Sequence, residues 1–465
     1  MKKTFLFLIL LVIIAITSCK KSDDGVTLPP TCDTCGTGSN VTDVFLRGTI
    51  SSDMHWKSSI TYHLRGYVYV TNNAIITIDA GTKIVSNKDS AGVLVIYRTA
   101  KIIAEGSASS PIVFTSAETN QQPGDLGGLV IVGQAKVNGN HSVLEGGVNA
   151  AFSVFGGTND ADNSGTLKYV RIEYAGKAVN PGDEINGLSL YGVGSGTTID
   201  YVEVVRGLDD AYEFFGGTVN CKHLIAYNSA DDDYDMDDGY RGKIQYAISI
   251  KDPAFTDNKG TTGDISNNFE VDNINPANGF LWTRTPITFP VLSNFTAIGP
   301  NNTSGTSADY GYNMRWRRGC KFILANSIVI GGQRGGLDID DDSTASYYAK
   351  DTSRFYNSFL SSYGPAFKVN KQVLVQPVLD DALLQTNTTA RDASIVYPTP
   401  DEIMLTDPFN NTNPKVMPAA GSPALTTAGK FDFGLLSDSF FDHTTFIGAI
   451  DGTTDWTTGW AVFNK

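Results

Sequence analysis

The chain reads as all-β, a solenoid of short strands stacked rung upon rung, and three observations predict it. Short apolar segments bounded by Gly, Asn, Asp or Pro follow one another without helical spacers. A strand-like segment recurs at an interval of 22 residues in the middle of the chain. The composition is Gly-rich (47 residues) and 11% aromatic, with only 18% charged residues, which suits turns and strands better than helices. At 465 residues the chain exceeds one ordinary compact domain, and the repeat favours one elongated array over two domains.

Taken in order, Met1 to Ser18 begins with Lys2 and Lys3 and continues in an apolar run from Phe5 to Ile16. That run is too short to span a bilayer and suits a signal peptide core. Ile16-Thr17-Ser18-Cys19 resembles a lipobox, so residues 1–18 are expected to be removed and Cys19 to be lipidated, anchoring the protein in a lipid bilayer. Residues 19–40 are a tether of Pro, Gly, Ser, Thr and Asp. Within it Cys32 and Cys35 are spaced for a small disulfide loop in an oxidising compartment, whereas a redox C-x-x-C lacks its strand-to-helix context. Cys221 and Cys320 lie in apolar patterns and read as buried hydrophobes.

Residues 41–465 read as a single domain. Strands are expected at Tyr67 to Val70, Ile75 to Ile78, Val93 to Tyr97, Ile112 to Thr115, Leu129 to Val132 and Leu167 to Ile172. The segments starting at Asp200, Lys222 and Ile244 are each offset by 22 residues, one solenoid rung. Asn294, Asn326 and Asn357 open similar segments at longer intervals of 32 and 31, as loops inserted into later rungs would produce, and a recurring Asn can stack into an amide ladder. Open solenoid ends expose strand edges, so residues 41–63, with His55 and Trp56, are expected to cap the first rung. Residues 419–465, with Phe440, Phe441, Trp456 and Trp460 as packing residues, are expected to cap the last.

Leu64 to Val70, Ile75 to Thr82, Ile103-Ala104-Glu105-Gly106 and Pro111 to Thr115 resemble the opening rungs of pectate-lyase-like right-handed parallel β-helices. With Tyr169 to Gly176, Phe214-Phe215-Gly216-Gly217-Thr218 and Asp455 to Trp460, the wider pattern is similar to a Bacteroidetes lipoprotein family of that superfamily, one of no assigned biochemical activity. The resemblance implies the β-helix fold. Lys20 to Asp24 is similar to the stretch that in such lipoproteins marks export to the exterior face of the outer membrane.

The strongest chemical signal is acidic. Asp209-Asp210 and Asp231-Asp232 share the 22-residue interval of the strands and should stack at neighbouring corners. Two like charges about 4.8 Å apart repel by about 3 kcal/mol at an effective dielectric near 20, so protonation, hydrogen bonds or a cation must compensate. Calcium, which takes six to eight oxygens in flexible geometry, suits Asp209, Asp210, Asp231, Asp232, Asp233, Asp235 and Asp237, with Glu213 and Asp238 beside them. A solvated acidic corner is the competing reading. The run Asp338 to Asp342, alternating with Leu337 and Ile339, fits an ordinary strand with one wet face or an extension of the acidic stripe.

A formal charge of -14 opposes nucleic-acid binding. Trp282, Arg284, Trp316 and Arg317 are the candidate glycan contacts, since exposed Trp beside Arg stacks on and hydrogen-bonds sugars; neutralising ion pairs are the competing role for the arginines. The function expected is non-catalytic binding or scaffolding toward a glycan or an outer-membrane protein complex. The alternative is a calcium-dependent polysaccharide lyase or a polygalacturonase-like hydrolase using Asp209, Asp210, Asp232 and Arg241. That reading rests on a loose likeness of Gly207 to Asp210 to the polygalacturonase Gly-Asp-Asp element, and the His-containing elements that should follow it are missing.

Overall fold

The computed structural model describes residues 42–180, 183–257 and 265–465, without the side chains of 177–183. The signal peptide, Cys19, the tether, Cys32 and Cys35 lie outside the described residues.

Alternating apolar residues make strands with one inward face, and in these residues 26 strands join into one large sheet. The coil is a right-handed parallel β-helix. Its pairings are parallel from rung to rung: Leu188–Val193 with Tyr212–Gly217, then with Tyr234–Asp237, Phe269–Val271, Tyr312–Arg317, Gly335–Asp340 and Phe367–Asn370. A second column runs through Gly165–Glu173, Thr198–Val205, Asn220–Tyr227, Lys243–Ile250 and Val291–Ile298. Ile, Leu, Val and Phe from both columns fill one continuous core, and Cys221 and Cys320 are buried in it. The first repeat step is 22 residues, Asp200 opposite Lys222, but the next is 23, because Lys222 pairs with Gln245 and not Ile244.

The second column continues through Ile323–Ala325 and Ile328–Ile330, then Arg354–Tyr356 and Phe359–Ser361, and every rung of it bends at a residue of positive φ: Tyr169, Tyr201, His223, Tyr246, Asn294, Asn326 and Asn357. The rings stack, Tyr169 on Tyr201 at 4.4 Å and Tyr201 on His223 at 4.1 Å. Below them amides take over, with Asn357 Nδ2 donating to Asn326 Oδ1 at 2.9 Å. Asn tolerates the left-handed bend, and its amide satisfies the rung above. Asn326→Ala is therefore expected to cost about 2 kcal/mol, measured by denaturant melting.

Both expected caps differ from what the coil does. Within 41–63, Asp43–Ile50 pairs with Thr61–Val70 and Met54–Trp56 with Ile75–Ile78, so this segment is the first rung itself, with Trp56 buried. Residues 419–465 do not cover the last rung. They run back along the flank, tied by Asp438 to Lys243, Asp442 to Lys222, the Trp460 carbonyl to Arg171 and Lys465 to Glu173. The cause is the outward row Val205, Ile225, Ile248, Ile298, Ile328 and Phe359, apolar surface that this strap buries with Ile447, Ile450 and Trp460. The far end is closed instead by Asp381–Thr386 and the turn after it, with Leu379 and Leu384 in the core.

Candidate carboxylate column and cleft

The strands that carry the site share an apolar–charged–apolar triplet. Register stacks Ser189, Glu213, Asp235, Glu270, Arg315, Asp338 and Lys368 in one line on the outer face. Two residues along, Phe215, Asp237 and, further down, Arg317, Asp340 and Asn370 form a parallel line. At the corner that enters these strands, Asp232 N donates to Asp210 Oδ1 at 2.8 Å and Asn267 N donates to Asp232. The two acid pairs stack as their spacing predicts.

Three groups of carboxylates have oxygens within 4.8 Å of one another: Asp209, Asp210 and Asp231; Asp210, Glu213 and Asp235; and Asp232, Asp235 and Glu270. They share Asp210 and Asp235, so they form one continuous acidic strip. Burial first, and neighbouring acids second, push the carboxyls of Asp210, Glu213 and Asp235 well above the usual carboxylate range. Asp235 Oδ1 is buried and accepts no hydrogen bond from the protein. Such a strip has the hard oxygen chemistry of a calcium site, since a divalent cation removes the repulsion that otherwise holds protons on it.

Two expected ligands stand apart. Asp233 sits in the bend just before strand Tyr234–Asp237, outside the alternation that turns Asp235 outward, and is buried against Lys251 at 3.0 Å. Its carboxyl is pushed up to about 6, burial outweighing Lys251. Asp237 belongs with Asp238 and His141, whose Nδ1 lies 3.0 Å from Asp238. Asp238 and its neighbours drive the His141 imidazolium up to about 10 against the effect of burial, so this histidine staples its loop over the acids.

The column then changes sign. Arg315 pairs with Glu270 at 3.2 Å and Asp340 at 3.4 Å, and Arg317 with Glu270 and with Asp272 at 2.8 Å. Asp338 and Asp340 alternate with core Leu337 and Ile339 as expected, but their face is not wet: both are buried beneath Arg315, Asn370 and Lys371. Trp316 points inward, 0% exposed, its ring on Phe322 at 3.9 Å. It is a core residue and no glycan contact, since its neighbours Arg315 and Arg317 occupy the outer face. Arg284 donates to the carbonyls of Asn138 and Gly139 and lies over Phe280 at 3.6 Å, a loop clamp. Trp282 is half-buried and lines a cleft of about 480 Å³ with Asn275, Pro276, Arg317, Arg318 and Asp340.

A family model described as a pectate-lyase-like β-helix domain matches residues 48–399. The chain belongs to this family. No curated protein and no solved structure matches it. In this pectate-lyase-like β-helix domain the acids offered for the alternative catalytic set, Asp209, Asp210 and Asp232, do meet at one corner. Arg241 does not join them. Strand Tyr234–Asp237, about 13 Å of extended chain, separates it from Asp232, and its guanidinium is spent on Asp160 and the Gly239 and Lys136 carbonyls. Arg206 and Lys243 are likewise paired, with Asp252 and Asp438.

Sequence reasoning missed Glu270, Asp272 and His141. Glu270 lies 35 residues after Asp235 because an insertion lengthens that rung, which hid it from a search at 22. The triplet Tyr212-Glu213-Phe214, Tyr234-Asp235-Met236, Phe269-Glu270-Val271 was the available signal. His141 comes from a distant loop and carried none.

Proposed function

We propose that this protein is a lipid-anchored binding protein, attached through Cys19 to the outer membrane and facing the cell exterior, that holds calcium in its carboxylate column and binds a glycan in the adjacent cleft without cleaving it. The observation that carries the reading is the cleft itself. It opens where the column passes from acids to arginines, and its lining includes Trp282, a residue type whose indole is a common platform for a sugar. Arg206, Arg241 and Lys243, basic candidates for an eliminating enzyme, are held in ion pairs with Asp252, Asp160 and Asp438, which favours binding over catalysis. Affinity with the surface lipoproteins of Bacteroidetes agrees with the lipobox-like Ile16 to Cys19.

Trp282→Ala is expected to weaken glycan binding on the order of tenfold or more, a loss of about 1.4 kcal/mol, measured by affinity electrophoresis in polysaccharide gels. The same incubations should show no new reducing or unsaturated ends. Such ends, made only with calcium present, would replace binding with the lyase or hydrolase reading. Retention by no polysaccharide would direct the search to an outer-membrane protein partner.

A further inference from the structure

The cleft has its own polarity. Among its lining groups Arg317 is neutralised by Glu270 and Asp272, Arg318 by Asp272 at 2.6 Å, and Lys371 by Asp340 at 3.1 Å. Asp341 is consumed as the N-cap of Asp342–Ala349, accepting from Ser343 N at 2.7 Å and Thr344 N at 2.8 Å. Two buried oxygens of the lining residues lack a donor: Asp340 Oδ1, on a residue only 4% exposed, and Asp342 Oδ1, neither of which accepts a hydrogen bond from the protein. Both are acceptors. A buried acceptor without a donor is costly, and a ligand that supplies a hydroxyl relieves that cost.

From this polarity we infer that the cleft takes neutral, hydroxyl-donating sugars and rejects uronates. The inference rests on the glycan reading above and narrows it. A uronate would place its carboxylate beside Asp340 and Asp342, and it would compete for Arg318 and Lys371 with carboxylates that already hold them. A neutral ring stacked on Trp282 brings donors to both orphan oxygens and disturbs no ion pair. The cationic side chains and Asp340, Asp341 and Asp342 balance in number among the lining residues, so the cleft has no excess charge to recruit an amino sugar.

The test uses the full chain in detergent micelles, with chelator present so that calcium cannot bridge a uronate to the protein. It is applied to an array of neutral, amino and acidic glycans, and hits are measured by calorimetry against oligogalacturonate of equal length. The expected result is at least one neutral oligosaccharide bound tenfold or more tighter than oligogalacturonate. Trp282→Ala should lose it, and Asp342→Lys, with an unchanged melting curve, should narrow the preference. Tighter binding of oligogalacturonate, or hits on amino sugars alone, overturns the inference while leaving a glycan cleft in place. Binding to no glycan overturns the inference and the glycan reading together.

Discussion

Trp316→Ala is expected to destabilise the protein by about 3–5 kcal/mol, the usual cost of emptying a large aromatic site in a packed core. Trp316 is fully buried, stacked on Phe322 with the planes 6° apart, and reaches Phe269 in the rung before. In a solenoid each rung contacts its neighbours, so the loss is felt as uncoupling of the rungs on either side. Chemical denaturation measures the size, and hydrogen exchange should show protection falling first in 312–340. Trp316→Phe should recover most of the loss. A cost below about 1 kcal/mol would mean that the ring faces solvent, as its place beside Arg315 and Arg317 had suggested.

Chelating calcium is expected to lower the melting temperature at pH 8 and to do so far less at pH 5. The sign follows from the carboxyls. Those of Asp210, Glu213, Asp235 and Asp237 are raised by burial, so without metal the folded state binds more protons than the unfolded one. Their contribution is present below the ordinary carboxylate range and is lost as pH rises above about 4. Asp233, pushed up to about 6, and Asp338, pushed up to about 7, lose theirs across pH 4 to 6 and 4 to 7. All these groups act in the same direction, so without metal the protein loses stability between pH 5 and 8. Carboxyls lowered by ion pairs, such as Asp351 and Asp438, titrate below this window and leave its sign alone. Calcium bound there would replace the protons on the column and flatten its share of the slope; a chelated protein that gains stability from pH 5 to 8 would contradict this.

How much of this could be read from the residues depended on what kind of signal each feature leaves. Strand periodicity and the interval from Asp209 to Asp231 survive in one dimension, because the rungs that carry them have no insertions. The column from Glu213 to Glu270 does not, since an insertion breaks its spacing and only the flanking apolar residues mark the register. Orientation was harder still. Asp232 and Asp233 look alike as neighbours, yet the bend that precedes Tyr234 sends one to the acidic corner and the other to Lys251. Trp316 beside three arginines imitates a sugar platform, while the pleat turns it inward. The strap of residues 419–465 was expected at the end of the coil, because nothing local reveals that the outward face of the Ile225, Ile248 and Ile298 row needs cover.

The central claim is that the carboxylate column is a cation site and not merely a protonated strip. Its most direct test is a calorimetric calcium titration at pH 7.5 of the wild-type chain and of Glu213→Gln combined with Asp235→Asn, two residues that face one another across adjacent rungs. The account predicts saturable binding with proton release in the wild type, and its loss in the variant with the fold intact by circular dichroism. Wild-type heats that never saturate, or binding that survives unchanged in the variant, would contradict it.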